Sequence, residues 1–265
     1  GIDAEDHAAA GGDPQPALVV RRLLPGLDLV DFRRGIDDYD GVQDTQIRQA
    51  DPDTTYGDDV SVSVDADDPD GNQNHVLIQF ADLFVDGGVP TDREIVRATL
   101  AVIADNPGDG ANVHELLQSW DESITWNNSF GGDGVQADDV EAKSVPVDTV
   151  AGGTGVVEID VTASLVAWQQ DPTANHGWVL LPLGNNGWDF ATSDAGPAVR
   201  PELTVVFSTD LPCPQDLDGS GDVAVTDLLA LLNQFGGPGE ADFDGSGTVD
   251  TPDLLDLLAA WGACP

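Results

Sequence analysis

REIVRATLAVI, at residues 93–103, is a run of β-branched and apolar residues that decides the fold class of most of this chain. Similar short runs are separated by clusters of Gly, Asp, Asn and Pro: DVSVSVD, NHVLIQF, GVVEIDVTASLV, HGWVLLPL and RPELTVVF, at 59–65, 74–80, 155–166, 176–183 and 200–207. This pattern predicts an all-β sandwich over residues 37–209 rather than alternating strands and helices. One exception is VTASLVAWQQD, where Leu165 and Trp168 fall on one face of a predicted short helix.

Residues 210–265 contain an internal repeat of 26 residues, which begins with the loops DLDGSGDVAVTD, at 216–227, and DFDGSGTVDTPD, at 242–253. Carboxylates at alternate positions and Gly at the sixth are typical of a loop that wraps Ca²⁺ with oxygen ligands from places 1, 3, 5, 7 and 12. The predicted ligands of two calcium ions are Asp216, Asp218, Ser220, the Asp222 carbonyl and Asp227, and then Asp242, Asp244, Ser246, the Thr248 carbonyl and Asp253, with Asp250 contacting the second ion through water.

Each loop precedes an apolar stretch with helical spacing, DLLALLNQFG and DLLDLLAAWG, which Gly236 and Gly262 terminate. The spacing predicts two short helices that bury their apolar faces against each other, through Leu228, Leu231, Leu232 and Phe235 and through Leu254, Leu257, Leu258 and Trp261. Val223 and Val249, at the eighth loop position, are expected to pair across the two loops and to be buried. Such a small unit has little core, so calcium is expected to contribute much of its stability.

The two cysteines, Cys213 and Cys264, bracket the loops from outside. In an exported protein this arrangement predicts one disulfide that joins the ends of the C-terminal unit, and the alternative is two free thiols in a cytosolic chain. Because the sequence contains no methionine, Gly1 is expected to be a processed end left after removal of a secretion signal. The expected location is therefore extracellular or at the cell surface.

The charge balance is strongly acidic, with 49 Asp and Glu residues against 9 Lys and Arg residues and a net charge of −40. The two loops use a minority of these carboxylates. A surface this negative repels nucleic acid and anionic lipid and attracts divalent cations, which excludes DNA binding. No apolar run approaches the roughly 18 residues that a membrane span requires, so no membrane anchor is expected.

The first 36 residues form a third segment, in which ALVVRRLLPGLDLVDFRRG carries four of the nine cations, Arg21, Arg22, Arg33 and Arg34. One interpretation is a first strand that packs on its own sandwich, with arginines that pair with local aspartates. The other is an arm that docks on an acidic neighbouring subunit and adds a strand to its sheet edge.

The C-terminal repeat resembles the dockerin family over about residues 210–265, because place 12 is Asp where sensor-type hands carry Glu and no helix enters the loop. The resemblance implies that this unit folds when it binds two calcium ions. It also implies that the tail has a protein partner. Loop places ten and eleven, where dockerins often carry a Ser-Thr type pair, are Val225-Thr226 and Thr251-Pro252. The resemblance therefore predicts the calcium fold without identifying the partner as a cohesin.

The larger segment resembles the DNRLRE-type domain over about residues 40–208. The matching blocks are VQDTQIRQADPDTTYG, VLIQFADL, LLQSWDESITWNN, VVEIDVTASLVAWQQDPTANHGWVLL and RPELTVVF. That domain is related to the carbohydrate-binding module attached to some alginate lyases. The resemblance implies a jelly-roll β-sandwich that binds polysaccharide and does not itself catalyse a reaction.

Exposed aromatic rings are the candidates for stacking on sugars. Tyr56 and Trp188 lie in polar loops and are the favoured pair, whereas Trp120 and Trp126 are the alternatives that core packing would also explain. A neutral glycan, or an acidic one bridged by calcium, fits the charge better than a free acidic chain.

No catalytic pattern stands out, since the four histidines are scattered and no HExxH, GxSxG or phosphate loop occurs. The chain is therefore predicted not to be an enzyme. The first functional hypothesis is a secreted polysaccharide-binding or adhesion protein with a dockerin-like attachment domain. The alternative is a self-assembling filament or surface-layer subunit, a homo-oligomer that polymerises through calcium and the N-terminal arm.

Overall fold

A computed structural model describes residues 21–24, 26–85, 87–209 and 213–264, the first four through their backbone alone. Residues 1–20 of the expected arm, and the side chains of Arg21 and Arg22, lie outside what is described. The strands of the larger part are β1 Arg21–Leu24, β2 Leu27–Phe32, β3 Val42–Arg48, β4 Ser61–Val64, β5 Asn74–Phe80, β6 Ile95–Asn106, β7 Ala111–Glu115, β8 Asp148–Val150, β9 Gly155–Asp160, β10 Trp178–Pro182, β11 Trp188–Ala191 and β12 Glu202–Ser208.

These strands form two antiparallel sheets, as the alternating runs predict. The seven-stranded sheet has the order β1-β2-β12-β6-β11-β4, and β9 pairs along the other edge of β6. The five-stranded sheet has the order β3-β5-β10-β7-β8. The chain is therefore mainly β, and its first strand pairs with β2 of its own sheet.

One apolar core lies between the two sheets and takes side chains from both. Along β6, Ala98, Leu100 and Val102 point inwards, and Ile78 and Leu180 face them from the other sheet. The period-2 alternation of the sequence is thus realised in β6, where alternate residues are buried in this core.

A short helix, α1 (Thr162–Gln170), closes one side of this core where the sequence predicts it. It places Trp168 against Trp178 of β10, with ring centroids 4.9 Å apart. The Trp178 indole donates a hydrogen bond of 3.0 Å to Ser164 Oγ. Both tryptophans are fully buried, so they belong to the core.

A second apolar cluster covers the outer face of the five-stranded sheet. It joins Ile47, Leu77 and Val179 of the strands to Trp126 and Phe130 of the long connection that follows β7. His75 stacks beside Trp126 at 5.1 Å and accepts a hydrogen bond from Val135 N at Nδ1. Burial lowers the pKa of His75 to about 4, so this side chain is neutral near pH 7.

The C-terminal unit contains two helices, α2 (Val225–Gln234) and α3 (Thr251–Ala259), each directly after its acidic loop. Two short strands, β13 (Asp222–Val223) and β14 (Gly262–Ala263), pair with each other, and Val249 bonds through its backbone to Gly236 and Gly237. The backbones of Val223 and Val249 therefore bond elsewhere, while both side chains are buried in one cluster, as expected. Each loop instead pairs with the chain that leaves the other repeat's helix.

The predicted apolar faces of these helices are buried only in part. Leu231 and Leu257 are fully buried, together with Val223 and Val249, in a cluster of five buried residues. Leu232 and Leu258 are each 47% exposed, and Phe235 and Trp261 are each 46% exposed. Two nine- or ten-residue helices cannot cover a wide apolar face with each other, so a similar apolar stripe on each remains at the surface.

Cys213 and Cys264 form the predicted disulfide, with Cα atoms 5.8 Å apart. It joins the two ends of the C-terminal unit across a sequence separation of 51 residues. The double substitution Cys213→Ser and Cys264→Ser is expected to destabilise this unit by about 4 kcal/mol on the chain-entropy estimate, with no change in the sandwich. Thermal unfolding followed by circular dichroism tests this prediction, and an unchanged helical transition would contradict it.

Candidate functional site

The first acidic loop is a tight ring of oxygen atoms. Asp216, Asp218 and Asp227 each place one carboxylate oxygen within 4.8 Å of the others. Ser220 N donates to Asp216 Oδ1 and Asp218 Oδ1, both at 3.0 Å, and the Ser220 hydroxyl donates to the Asp222 carbonyl at 3.1 Å. The three carboxylates therefore converge, and the Ser220 hydroxyl lies between Asp216 Oδ1 and the Asp222 carbonyl.

Asp227 links the first loop to its helix. It is fully buried, one of its oxygens accepts from Asp218 N at 3.1 Å, and the other accepts from Ala224 N at the start of α2 at 2.8 Å. A carboxylate at this place satisfies a helix amide and still faces the loop, which suits a ligand at place 12.

The second loop repeats this geometry. Asp242, Asp244 and Asp253 converge within 4.8 Å, and Ser246 makes the same bonds to Asp242, Asp244 and the Thr248 carbonyl as its counterpart does in the first loop. Asp250, at place nine, has a buried Oδ1 without a hydrogen-bond partner. Burial, reinforced by the charges of Asp253 and Asp244, raises the pKa of Asp250. A bound cation would offset the repulsion between these carboxylates.

The charge around both loops favours a cation. Between Cys213 and Cys264 the sequence contains ten Asp and Glu residues and no Lys, Arg or His. Flexible rings of oxygen ligands suit Ca²⁺ better than Mg²⁺, which requires stricter octahedral geometry. The residues present thus fit two calcium ions.

The aromatic candidates of the sandwich do not form an exposed platform. Trp188 is fully buried, because it occupies an inward position of β11 opposite Val64, and its indole donates to the Gly153 carbonyl at 3.1 Å. Its assignment as a sugar-stacking residue is therefore wrong. Trp126 is buried at 5% exposure in the second cluster, so its assignment is also wrong.

The remaining two candidates are half-buried. Trp120 packs against the second cluster, and its indole donates to the His176 carbonyl at 2.9 Å. Tyr56 lies under the guanidinium of Arg48, whose Cζ is 5.4 Å from the ring centroid, and its hydroxyl donates to Asp51 at 3.2 Å. One face of the Tyr56 ring is therefore covered by Arg48 and is not free to stack on a sugar.

A polar groove of about 410 Å³ lies where the free edge of β4 meets the end of β3. Ser61 and Ser63 point into it because they alternate with the buried Val62 and Val64. Gln46 covers the edge of β4, because its Oε1 accepts a hydrogen bond from Ser63 N at 3.0 Å. The lining side chains include Arg48, Asp65, Asp68, Asn106 and Asp189.

An apolar groove of about 400 Å³ continues from Ser61 across the outer face of the seven-stranded sheet, between Val60, Ile103, Ala191 and Val199. Ser61 belongs to both grooves, so they form one surface with a polar half and an apolar half. We call this surface the sheet groove. A pyranose ring has hydroxyl edges and apolar faces, and this combination can hold both.

A β-bulge shapes the sheet groove. Phe190 pairs with Ala104 and Asp189 pairs with Asn106, so Asp105 is an extra residue in β6. The bulge turns Asn106 to the groove side, where its amide donates to Asp189 at 3.1 Å. The alternation of DVSVSVD would have revealed Ser61 and Ser63, whereas no sequence signal marks the bulge.

The arginines of the expected arm that the structure describes have partners within the chain. Arg33 forms an ion pair with Glu202 at 3.2 Å, and Arg34 pairs with Asp194 at 2.6 Å and Asp40 at 3.0 Å. These contacts agree with the interpretation that the arginines pair with local acids. Among the described residues, no helix has the length and apolar character that crossing a membrane requires.

The family model for carbohydrate-binding module family 96 matches residues 36–207, which is more than half of the chain. The matched range contains β3 to β11 and most of β12, including the whole sheet groove, and ends before the acidic loops. No curated protein matches this sequence.

Proposed function

Because the chain belongs to carbohydrate-binding module family 96, we propose that it is a secreted, non-catalytic surface protein that binds polysaccharide in the sheet groove. The sandwich would be a jelly roll of the DNRLRE type. The C-terminal unit would bind two calcium ions and attach the protein to a partner, as a dockerin does.

The sheet groove is the observation that carries the binding proposal. It is long enough to pass from Arg48 and Asp189 at one end to Val199 at the other, and it presents side chains of both chemical characters.

The two exposed stripes of the C-terminal helices support an attachment role. The stripe on α2 consists of Val225, Leu229, Leu232 and Phe235, and that on α3 of Leu255, Leu258 and Trp261. Apolar residues at helical spacing on a surface are typical of protein interaction sites.

Self-assembly through the arm is the weaker candidate. β1 pairs with β2 of the same chain, and Arg33 and Arg34 are engaged with local carboxylates. These contacts occupy groups that an intersubunit arm would have to present to its neighbour.

Ser61→Trp is expected to weaken polysaccharide binding, because an indole at the junction of the two halves fills the sheet groove. The affinity should fall by at least about tenfold, which corresponds to about 1.4 kcal/mol. Affinity electrophoresis in gels cast with a panel of polysaccharides measures this change.

The matched control is Thr149→Trp, which places the same bulk at an exposed strand position of the other sheet. If the Ser61 variant is retarded by the same gels as the unchanged protein, binding in the sheet groove is refuted.

A further inference from the structure

Each acidic loop of the C-terminal unit is crossed by the chain segment that leaves the helix of the other repeat. At the second loop, Val249 N donates to the Gly237 carbonyl and the Val249 carbonyl accepts from Gly236 N, both at 2.8 Å. At the first loop, Val223 pairs with Gly262 in the short ladder of β13 and β14. The two crossings are equivalent, because the repeat length of 26 residues separates Val223 from Val249 and Gly236 from Gly262.

The residue three places before each loop supports the first carboxylate of that loop. Asp216 N donates to the Cys213 carbonyl at 3.0 Å, and Asp242 N donates to the Gly239 carbonyl at 3.2 Å. Cys213 therefore has the same place in the first repeat as Gly239 has in the second.

The two repeats differ in the bond that joins this entry residue to the crossing segment. In the second repeat it is the peptide bond between Pro238 and Gly239. In the first repeat the residues at the same two places are Cys264 and Cys213, and the bond between them is the disulfide. We call this bond, with the two residues that it joins, the clamp of its loop. The disulfide thus closes around the first loop a connection that the continuous main chain provides around the second.

The first clamp contacts the loop at two places that shape a metal site. Cys264 N donates to the Gly221 carbonyl at 3.0 Å, a bond that Pro238 cannot make in the second repeat because proline has no N–H. Cys264 Sγ lies 3.9 Å from Asp216 Oδ2, and the same oxygen accepts Gly221 N at 2.7 Å. The crossing segment is therefore packed against the carboxylate at place 1 and against the tight turn at place 6.

We propose that the disulfide between Cys213 and Cys264 positions the ligands of the first calcium site specifically, as the peptide bond between Pro238 and Gly239 does for the second. Loss of the disulfide frees the segment over the first loop, whereas the second loop keeps its clamp. Groups that orient metal ligands without binding the metal typically contribute about 10–100-fold to metal affinity. This inference rests on the proposed binding of calcium, and it makes one of the two sites dependent on a disulfide.

The amides of Gly221 and Gly247 report on the two loops separately within one protein. Each donates a hydrogen bond of 2.7 Å to the carboxylate at place 1 of its own loop, Asp216 Oδ2 or Asp242 Oδ2. A calcium titration of the nitrogen-labelled full chain, followed by heteronuclear NMR, therefore gives one binding midpoint for each loop. The ratio of the two midpoints is the diagnostic quantity, because destabilisation of the whole unit raises both midpoints together.

Two variants open one clamp each. In the double variant Cys213→Ser and Cys264→Ser, the midpoint at Gly221 should rise by about 10–100-fold relative to that at Gly247. The reciprocal variant keeps the disulfide and carries a flexible Gly-Ser segment of about eight residues between Pro238 and Gly239. Its midpoint at Gly247 should rise relative to that at Gly221.

The matched control carries the same Gly-Ser segment between Thr209 and Asp210, before both clamps, and should leave the ratio unchanged. If the double serine variant does not fold in saturating calcium, the insertion at Pro238 decides alone. Equal rises at both glycines would overturn the inference, since each clamp would then support the unit as a whole, and calcium binding would stand. An unchanged protein in which neither glycine responds to calcium would refute the proposed calcium binding itself.

Discussion

Removal of calcium is expected to unfold the C-terminal unit and to leave the β-sandwich folded. The unit has ten acidic residues without a basic one, and its core consists of five buried residues. Such a core cannot offset the repulsion of two carboxylate triads whose oxygens lie within 4.8 Å of one another. Cations would convert this repulsion into attraction, so binding and folding of the unit are coupled.

The size of the stabilisation by calcium follows from the linkage between binding and folding. At a free calcium concentration about 100 times the dissociation constant, each ion adds about 2.7 kcal/mol to the stability of the state that binds it. Chelation should therefore remove the helical signal of α2 and α3 from the far-ultraviolet circular dichroism spectrum, whereas the tryptophan fluorescence of the sandwich core should change little. The disulfide keeps the ends of the unfolded unit joined, so refolding on calcium addition should be complete.

Two isosteric substitutions test the ligand assignment. Asp218→Asn and Asp244→Asn each remove one negative charge from a triad but retain an oxygen that can accept the serine N–H. Changes around a metal's ligands typically cost about 10–100-fold in affinity, and loss of a ligand charge should cost at least as much. Asp256→Asn, at an exposed position of α3 outside both triads, is the matched control.

Calorimetric titration should then show two binding events in the unchanged protein and in the Asp256 variant, with one event weakened in each of the others. A unit that stays helical in excess chelator would contradict the coupling of calcium to folding. Equal calcium binding by all four proteins would contradict the assignment of the ligands.

The sequence predicted the local chemistry of this chain better than its packing. The acidic loops, both C-terminal helices and α1 follow from spacing within one segment, and the disulfide follows from two cysteines that flank one repeat. Sequence patterns predict a structural feature well where the residues that form it are close together in the sequence.

The aromatic assignments were wrong where tertiary structure decides. Trp188 follows GNNG, which indicates a polar loop, but it opens β11 on the inward face and is buried against Phe190 at 5.0 Å. A one-residue shift in register would have placed it outside, and a single sequence does not fix that register. The sheet groove could not be predicted either, because it joins residues from β3, β4, β6 and β11 through a bulge.

The substitution Asp44→Asn is expected to stabilise the sandwich strongly at neutral pH. Asp44 lies on the inward face of β3, is 2% exposed, and has one oxygen that accepts Ser193 N at 2.8 Å and another that has no partner. Burial, with the charges of Glu122 and Asp194, outweighs the Ser193 hydrogen bond and raises the pKa of Asp44 to about 7. The charged form is therefore unfavourable in the folded state.

The sign of the pH effect follows from linkage. A carboxyl whose pKa is raised on folding contributes its full stability below its unfolded pKa, near 3.8, and loses that contribution as the pH rises through about 7. At about 1.4 kcal/mol per pH unit over this window, the loss amounts to roughly 4 kcal/mol. The asparagine variant does not titrate, so its advantage over the unchanged protein should grow steadily from pH 4 to pH 7 and then level off.

His75 provides an internal check because its shift has the opposite sign. Its pKa falls to about 4 on folding, so its contribution is complete above pH 6.5 and is lost as the pH falls towards 4. In the unchanged protein the two slopes oppose each other between about pH 4 and pH 6.5. In the Asp44→Asn variant, the free energy of unfolding should rise with pH over this range, because the His75 contribution alone remains. In the His75→Gln variant it should fall with pH, because the Asp44 contribution alone remains.

Urea unfolding of the sandwich at half-unit pH intervals measures both slopes. Asp58→Asn, which removes an exposed carboxylate close in sequence to β4, is the control and should run parallel to the unchanged protein. If the Asp44 variant also runs parallel, the buried carboxyl does not titrate in this range. The raised pKa of Asp44, and with it the predicted stabilisation of the asparagine variant, would then be refuted.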